Sequence, residues 1–176
     1  MSTIKTNAIQ TTAGKPILNS TGSILQVVQV VKTNSFVTAS TTYVDVTGLS
    51  ASITPSSTSS KILVLLNGVA GMSGSISGFI QLVRGSTALL VGDTTAGYTS
   101  SSGPNFYGGS GDGNNNETFS IVYLDSPATT SSTTYKAQVY APQGGNLVVN
   151  GLGSEISGQV YSSKSASSIT LLEVSG

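Results

Sequence analysis

The chain has 176 residues, the size of one ordinary domain with or without a tail. Lys and Arg total 7, Asp and Glu total 7, and 8% of the residues are charged, against about 25% in a typical soluble domain. The absence of Cys and His excludes disulfides, thiolate nucleophiles, imidazole bases and the usual zinc sites. A formal net charge of zero argues against binding nucleic acid through its phosphates. We therefore expect neither an enzyme nor a cofactor.

The apolar residues come in short runs, which is typical of a folded β protein rather than of a disordered one. The longest uninterrupted run, Ile62–Leu66, is too short for a transmembrane helix, so we expect no membrane insertion. Residues 1–7 are polar, and we expect no secretory signal peptide.

Residues 1–23 differ from the rest of the chain because they are polar and contain turn-forming residues at Gly14 and Pro16. This segment is too polar to fold alone, and its sequence is not that of a simple Gly/Ser linker. It is interpreted either as an extended arm that docks on another protein or as a frayed terminus. The residues predicted to dock are Thr3, Ile4, Lys5, Asn7, Ile9 and Gln10.

From residue 24 to the end, short runs of residues typical of β-strands are separated by turn-forming segments rich in Gly, Ser and Pro. The Asn67-Gly68 pair offers a tight turn unless the preceding strand continues through Val69 and Ala70. We predict one all-β domain over residues 24–176, an antiparallel jelly-roll-like β-sandwich. Few Lys or Glu residues are available to protect strand edges, which favours a homo-oligomer. The sequence predicts eight to ten short strands, drawn from the runs 25–32, 35–38 (a short strand or a bulge), 43–49, 51–54, 61–66, 78–84, 87–91, 117–125, 133–140, 146–150 and 168–174.

Residues 92–116 form the longest predicted loop, rich in Gly, Ser and Asn. The segment that starts at Asp112 resembles the beginning of a calcium-binding loop. Its sixth position, however, is Glu117 rather than Gly, and its twelfth is Tyr123 rather than Glu. A hairpin tip explains these residues more simply, and we predict no metal site.

The same loop carries aromatic residues, which can anchor a partner or stack on a sugar with little loss of rotamer entropy. Tyr98, Asn105, Phe106 and Tyr107 are the candidate receptor contacts. The alternative is that these aromatic rings fold back and close the end of the sandwich.

Five segments of the chain resemble structural and tail-fibre proteins of tailed bacteriophages, especially those of marine and cyanobacterial phages. The likeness covers most of the chain but leaves the long loops as gaps. The segments are residues 2–12 (STIKTNAIQTT), 59–64 (SSKILV), 82–87 (LVRGST), 123–127 (YLDSP) and 168–174 (SITLLEV).

The resemblance implies a non-enzymatic virion protein, made in the host cytoplasm and attached to the particle through its N-terminal arm. It implies a homotrimeric tail-fibre or appendage module whose loops adhere to a protein or glycan of the host surface, with other virion proteins of tail or capsid as partners. Two alternatives stay open at this point. One is a capsid decoration or cement protein, and the other is a lectin-like carbohydrate-binding module.

Overall fold

The structure is a computed structural model that describes residues 21–93, 95–109, 115–153 and 163–176. These residues form eleven β-strands and no helix, which confirms the predicted all-β class. None of them lies in a helix that is long and apolar enough to cross a membrane. The strands are β1 (Ile24–Lys32), β2 (Phe36–Thr38), β3 (Val44–Ile53), β4 (Lys61–Met72), β5 (Ser77–Arg84), β6 (Thr87–Leu89), β7 (Asn105–Tyr107), β8 (Asn116–Asp125), β9 (Thr133–Tyr140), β10 (Leu147–Val149) and β11 (Ser167–Val174).

The long strands pair in a nested, antiparallel way. The first strand, β1, pairs with the last, β11; β3 pairs with β9; β4 pairs with β8; and β5 pairs with the short strands β6 and β7. A long antiparallel ribbon that is rolled up produces this nesting, and it is the winding of a jelly roll. The predicted jelly-roll-like β-sandwich is confirmed.

Two sheets result from this winding. In the six-stranded sheet, β8 pairs with one side of β4, while β11 and β10 pair with the other side and are extended by β1 and β2. In the five-stranded sheet the order is β3, β9, β5, with β6 and β7 both paired to β5. The inner faces bury a single apolar core in which the largest fully buried side chains include Leu49, Ile53, Ile62, Leu66, Ile80, Leu82, Phe106, Ile121, Tyr135, Leu147 and Ile169.

Strand β4 continues through Asn67-Gly68 instead of turning there, so the second of the two sequence-based readings is correct. Gly68 is needed because two elements approach the strand closely at this point. A Cβ atom at position 68 would lie 2.5 Å from the Phe119 ring and would collide with Ser167. The glycine therefore makes room for packing and does not serve as a turn residue.

Two further differences concern strand boundaries. The predicted strands 43–49 and 51–54 merge into one strand, β3, which runs from Val44 to Ile53 and whose register shifts between Asp45 and Ser50. Gly48 lies within this bulge with a φ of 84°, a value that glycine adopts without strain. The predicted loop 92–116 also contains a short strand, β7, paired with β5.

A buried carboxylate joins the two sheets at the end of β8. Arg84 of the five-stranded sheet donates from one nitrogen to both oxygens of Asp125, at 2.9 and 2.7 Å, and the hydroxyl of Tyr135 donates to Oδ2 at 2.6 Å. Burial, followed by the hydrogen bond to Asp125, raises the pKa of Tyr135 well above its ordinary range. The phenol therefore remains a donor at any physiological pH.

A second buried carboxylate, Glu173, fastens β11 to the segment that follows β3. The backbone and hydroxyl of Ser56 donate to its Oε1 at 2.7 and 2.6 Å, and Gln26 donates to its Oε2 at 2.6 Å. Burial alone would raise the pKa of Glu173, but the hydrogen bonds from Ser56 and Gln26 outweigh burial and hold it at about 2.

The residues predicted to dock on a virion, Thr3 to Gln10, lie outside the described residues. The described chain begins beside the C-terminus, where Gly22 N donates to Ser175 O and Ser175 N donates to Ser23 O, each at 2.8 Å. These two bonds attach residues 22 and 23 to the sandwich, although the sequence reading assigned them to the arm.

Candidate receptor-binding face

The outer face of the five-stranded sheet carries a row of partly exposed aromatic rings. Phe79 of β5 lies opposite Tyr140 of β9, and their ring centroids are 5.6 Å apart in a stacked arrangement. Tyr43, just before β3, extends the row with its centroid 4.7 Å from that of Tyr140. On the other side of Phe79 stands Asn105 of β7. The row therefore crosses the whole sheet, because residues that pair across strands point to the same side.

The loop before β7 is fastened to this row through hydroxyl groups. Tyr43 donates to the carbonyl of Ser100 at 3.3 Å, and the hydroxyls of Tyr140 and Thr99 are 3.1 Å apart. Burial, together with the nearby Tyr140, raises the pKa of Tyr43 to about 12. The Tyr43 phenol is therefore uncharged at physiological pH and can still form hydrogen bonds.

The next row along the same face is a chain of polar side chains, which we call the amide relay: Asp45, Gln81, Lys136 and Gln138. Lys136 donates to Asp45 Oδ2 at 2.8 Å and Gln138 donates to Asp45 Oδ1 at 2.6 Å. Gln81 in turn donates to Gln138 Oε1 at 2.8 Å. The hydrogen bonds from Lys136 and then Gln138 lower the pKa of Asp45, so the relay ends in a carboxylate.

The relay also borders a pocket of about 380 Å³ at the bulge of β3. The pocket presents hydroxyl, carboxylate and ammonium groups beside a larger share of apolar side-chain and backbone surface. Its lining residues are Asp45, Val46, Thr47, Gly48, Ser50, Thr134 and Lys136.

Three of the four predicted receptor contacts are exposed at or next to this face. Tyr98 is 80% exposed, in the loop that contacts the aromatic row, and Tyr107 is 46% exposed. Asn105 and Tyr107 are alternate residues of β7, so both point outward beside Phe79 and Ser77. We call Tyr43, Phe79, Asn105, Tyr107 and Tyr140 together the aromatic face.

Phe106 was wrongly predicted as a receptor contact. It lies between two outward residues of β7 and therefore points inward, where it is 0% exposed and meets the Phe119 ring edge-on at 6.0 Å. For this residue the alternative, a ring that folds back into the sandwich, is correct. The inward position follows from β-strand alternation, which could not be applied before the strand itself was known.

The sequence reading missed Tyr43, Phe79, Gln81, Gln138 and Tyr140, because each lies in or beside a strand and the search for binding residues followed the loops. One signal was available. Phe79 and Gln81 are two residues apart, as are Gln138 and Tyr140, so each pair shares one face of its strand. Their meeting depends on the register of β5 against β9, which nothing in either segment alone specifies.

The aromatic face and the amide relay together offer two kinds of contact. Aromatic rings accept the C–H faces of a sugar ring, and amide and carboxylate groups exchange hydrogen bonds with its hydroxyls. Within the described residues, no three Asp or Glu side chains are grouped to hold a metal ion. The Glu117 carboxylate at the end of the calcium-like segment accepts a hydrogen bond from Tyr107 N at 2.8 Å, while Asp112 lies outside the described residues.

No protein-family model matches this chain, and no curated protein sequence matches it either.

Proposed function

We propose that the chain is a non-enzymatic structural protein of a tailed-bacteriophage virion, an appendage or tail-fibre module that adheres to carbohydrate on the host surface. The virion assignment is supported by the resemblance of the five segments described above. The adhesive role is supported by one structural observation, the juxtaposition of the aromatic face with the amide relay on a single sheet.

The chemistry of this face fits a neutral or weakly charged glycan. Its rings are neutral, and its one cation, Lys136, is already paired with Asp45, so a strongly anionic ligand would find no free charge among these residues. A single face of this kind binds weakly. Three copies in a homotrimer would raise the apparent affinity through effective concentration, without any additional type of contact.

Adhesion is tested by binding purified protein to polysaccharide from the host surface. The variants Tyr98→Ala and Tyr107→Ala should each weaken binding about tenfold, which corresponds to about 1.4 kcal/mol per ring. Both residues are exposed, so the fold should be unchanged. Val37→Ala, at a 51% exposed position of the other sheet, is the matched control and should bind as the parent does. Equal binding by all variants would contradict the adhesive role, and release of oligosaccharide would contradict a non-enzymatic protein.

The virion assignment is tested by labelling intact particles with antibody against the protein and locating the label by electron microscopy. Label at the tail or its appendages is the expected result. Label spread over the capsid faces would favour the decoration or cement protein, and unlabelled particles would contradict a virion protein altogether.

Attachment through the N-terminal arm is tested by deleting residues 1–20. Gly22 and Ser23 should be retained, because they hydrogen bond to Ser175 at the edge of the sandwich. The shortened protein should fold and bind polysaccharide but should be missing from particles. Normal incorporation would show that docking uses another part of the chain.

A further inference from the structure

The outer face of the six-stranded sheet is apolar across four neighbouring strands. Leu63 of β4 lies opposite Leu124 of β8 on one side and Leu172 of β11 on the other, and Leu172 lies opposite Val27 of β1. Two residues further along β4, Leu65 lies opposite Val122. We call these residues the apolar face: Val27, Leu63, Leu65, Val122, Leu124 and Leu172.

Solvent reaches this face in the single chain. Val27 is 58% exposed, Val122 56% and Leu124 47%, and the leucines between them are partly buried by these neighbours. Ile24 and Val31, which are 59% and 53% exposed, continue the apolar surface along β1. An exposed apolar surface is ordinarily small in a monomer, and contiguous patches above a few hundred Å² mark interaction sites.

The apolar face is the centre of a larger sheet surface. Four strands spaced about 4.8 Å apart, each contributing about four residues that rise 3.3 Å, outline roughly 250 Å² for the apolar face itself. Further along the same strands the outward residues are polar, as at Gln29, Asn67 and Thr170, and with them the surface reaches roughly 500 Å². An apolar centre with a polar rim is the usual make-up of a protein interface, in which each partner of a standard complex buries about 800 Å². A small ligand would leave most of this surface in water.

The charge distribution narrows the choice of partner. Three charged residues of these four strands, Lys32, Asp125 and Glu173, are 4% exposed or less and point into the sandwich. Lys61, at the start of β4, is exposed at the margin of the face. An anionic membrane or an acidic protein would therefore find little positive charge here, whereas a second neutral face meets no repulsion.

We infer that the apolar face is the surface through which copies of this chain pack against one another. A flat sheet face packs well against another flat sheet face, about 10 Å away, with short branched side chains interdigitating between them. The inference deepens the proposed function and rests on it for one point only, the homo-oligomeric state. It assigns that state to a specific surface and leaves the opposite, aromatic face of each copy free for ligand.

The test measures the solution mass of the full chain by light scattering at about 10 and 100 µM, with circular dichroism to verify folding. The parent should have a multiple of 17.7 kDa. The double variant Val27→Lys/Leu124→Lys places two charges at half-exposed positions of the apolar face and should fold but have the mass of one chain. The matched control Ser52→Lys/Ala88→Lys adds the same charge at exposed positions of the five-stranded sheet and should keep the parent mass.

Two results would overturn the inference, and they differ in what they imply for the proposed function. A parent mass of 17.7 kDa at both concentrations would exclude self-association through any surface, while polysaccharide binding by single chains would leave the adhesive role intact. An oligomeric mass retained by folded Val27→Lys/Leu124→Lys would show that copies assemble through another surface, and the homo-oligomeric appendage would stand.

Discussion

The two sheets of this sandwich differ in where they place several of their charged side chains. In the five-stranded sheet, Asp45 and Lys136 point outward and form an ion pair in solvent. In the six-stranded sheet, Lys32, Asp125 and Glu173 point inward and are buried, while valines and leucines of the same strands point outward. The rest of the inner face of the six-stranded sheet is apolar, so these three side chains are exceptions to the ordinary pattern of a half-buried sheet, in which charged residues face water.

The two inward carboxylates can be buried because donors contact both oxygens of each. Asp125 accepts from Arg84 and Tyr135, and Glu173 accepts from Ser56 and Gln26. Burying a charge without such partners would cost several kcal/mol. The difference between the sheets therefore shows that strand alternation alone does not identify the solvent face. The hydrogen-bond partners of the inward groups must be known as well.

The largest effect is expected at Glu173. In Glu173→Gln the new amide nitrogen faces either the Ser56 N–H, which is a donor, or Gln26, whose amide must turn over to accept and then loses its hydrogen bond to Thr54 O. In both cases a buried charge-assisted hydrogen bond is lost. We expect a loss of about 2 kcal/mol in the free energy of unfolding at pH 7, measured by urea denaturation. Glu117→Gln is the control, because the amide oxygen can still accept from Tyr107 N, and it should change stability little.

The effect of Glu173→Gln on the free energy of unfolding should depend on pH. The folded pKa of Glu173 is about 2, below the ordinary Glu value of 4.5, so ionisation of this group stabilises the fold above pH 4.5. That contribution is lost as the pH falls from 4.5 towards 2. The stability difference between parent and Glu173→Gln should therefore narrow across this interval. A difference that stays constant from pH 6 to pH 2 would contradict the assigned role of the carboxylate.

The next effect in size is expected for Tyr135→Phe, which removes a buried hydroxyl that donates to Asp125 at 2.6 Å. Arg84 still donates to the Asp125 carboxylate, so the buried charge keeps a partner. The free energy of unfolding should therefore fall by about 1.5 kcal/mol. Thermal unfolding of Tyr140→Phe provides the comparison, because the Tyr140 hydroxyl meets Thr99 at the exposed surface and its removal should cost less. Equal losses in the two variants would show that the buried hydrogen bond between the sheets stabilises the protein no more than an exposed hydroxyl contact does.

Much of the fold could be predicted from the sequence because it depends on local signals. Runs such as 133–140 alternate with period two and are bounded by turn residues, and the structure has β9 at those positions. Position 68 could not be decided in this way, because the reason for its glycine is the approach of Phe119 and Ser167 from strands far away in the chain. Local patterns identify strands, whereas close packing between strands is a property of the whole fold.

The candidate site could be predicted only in part, and the terminal segment SITLLEV illustrates the reason. Its hydropathy would place Glu173 in water and Leu172 in the core, but the structure has Glu173 buried and Leu172 in the apolar face. The donors that hold Glu173 come from Ser56 and Gln26, more than a hundred residues away. In the same way, the sequence identified Tyr98 and Tyr107 as exposed aromatic residues of a loop. The row of aromatic rings beside them could not be predicted, because it depends on the register of β5 against β9.

The smallest effect is expected at the outward ion pair, and it completes the contrast between the sheets. Asp45 is about half exposed, and Lys136 reaches it at 2.8 Å across a solvated surface. Asp45→Asn should therefore lower the free energy of unfolding by less than about 0.5 kcal/mol, and the difference should shrink further in 1 M salt because exposed pairs are screened. The amide oxygen of Asn can still accept the hydrogen bond from Gln138, so the amide relay itself should survive.

A loss above 1.5 kcal/mol would mean that the outward charges stabilise the sandwich as the inward ones do. A small loss combined with weaker polysaccharide binding would assign the Asp45 carboxylate to recognition, because the substitution would then remove a ligand contact and leave the fold almost unchanged.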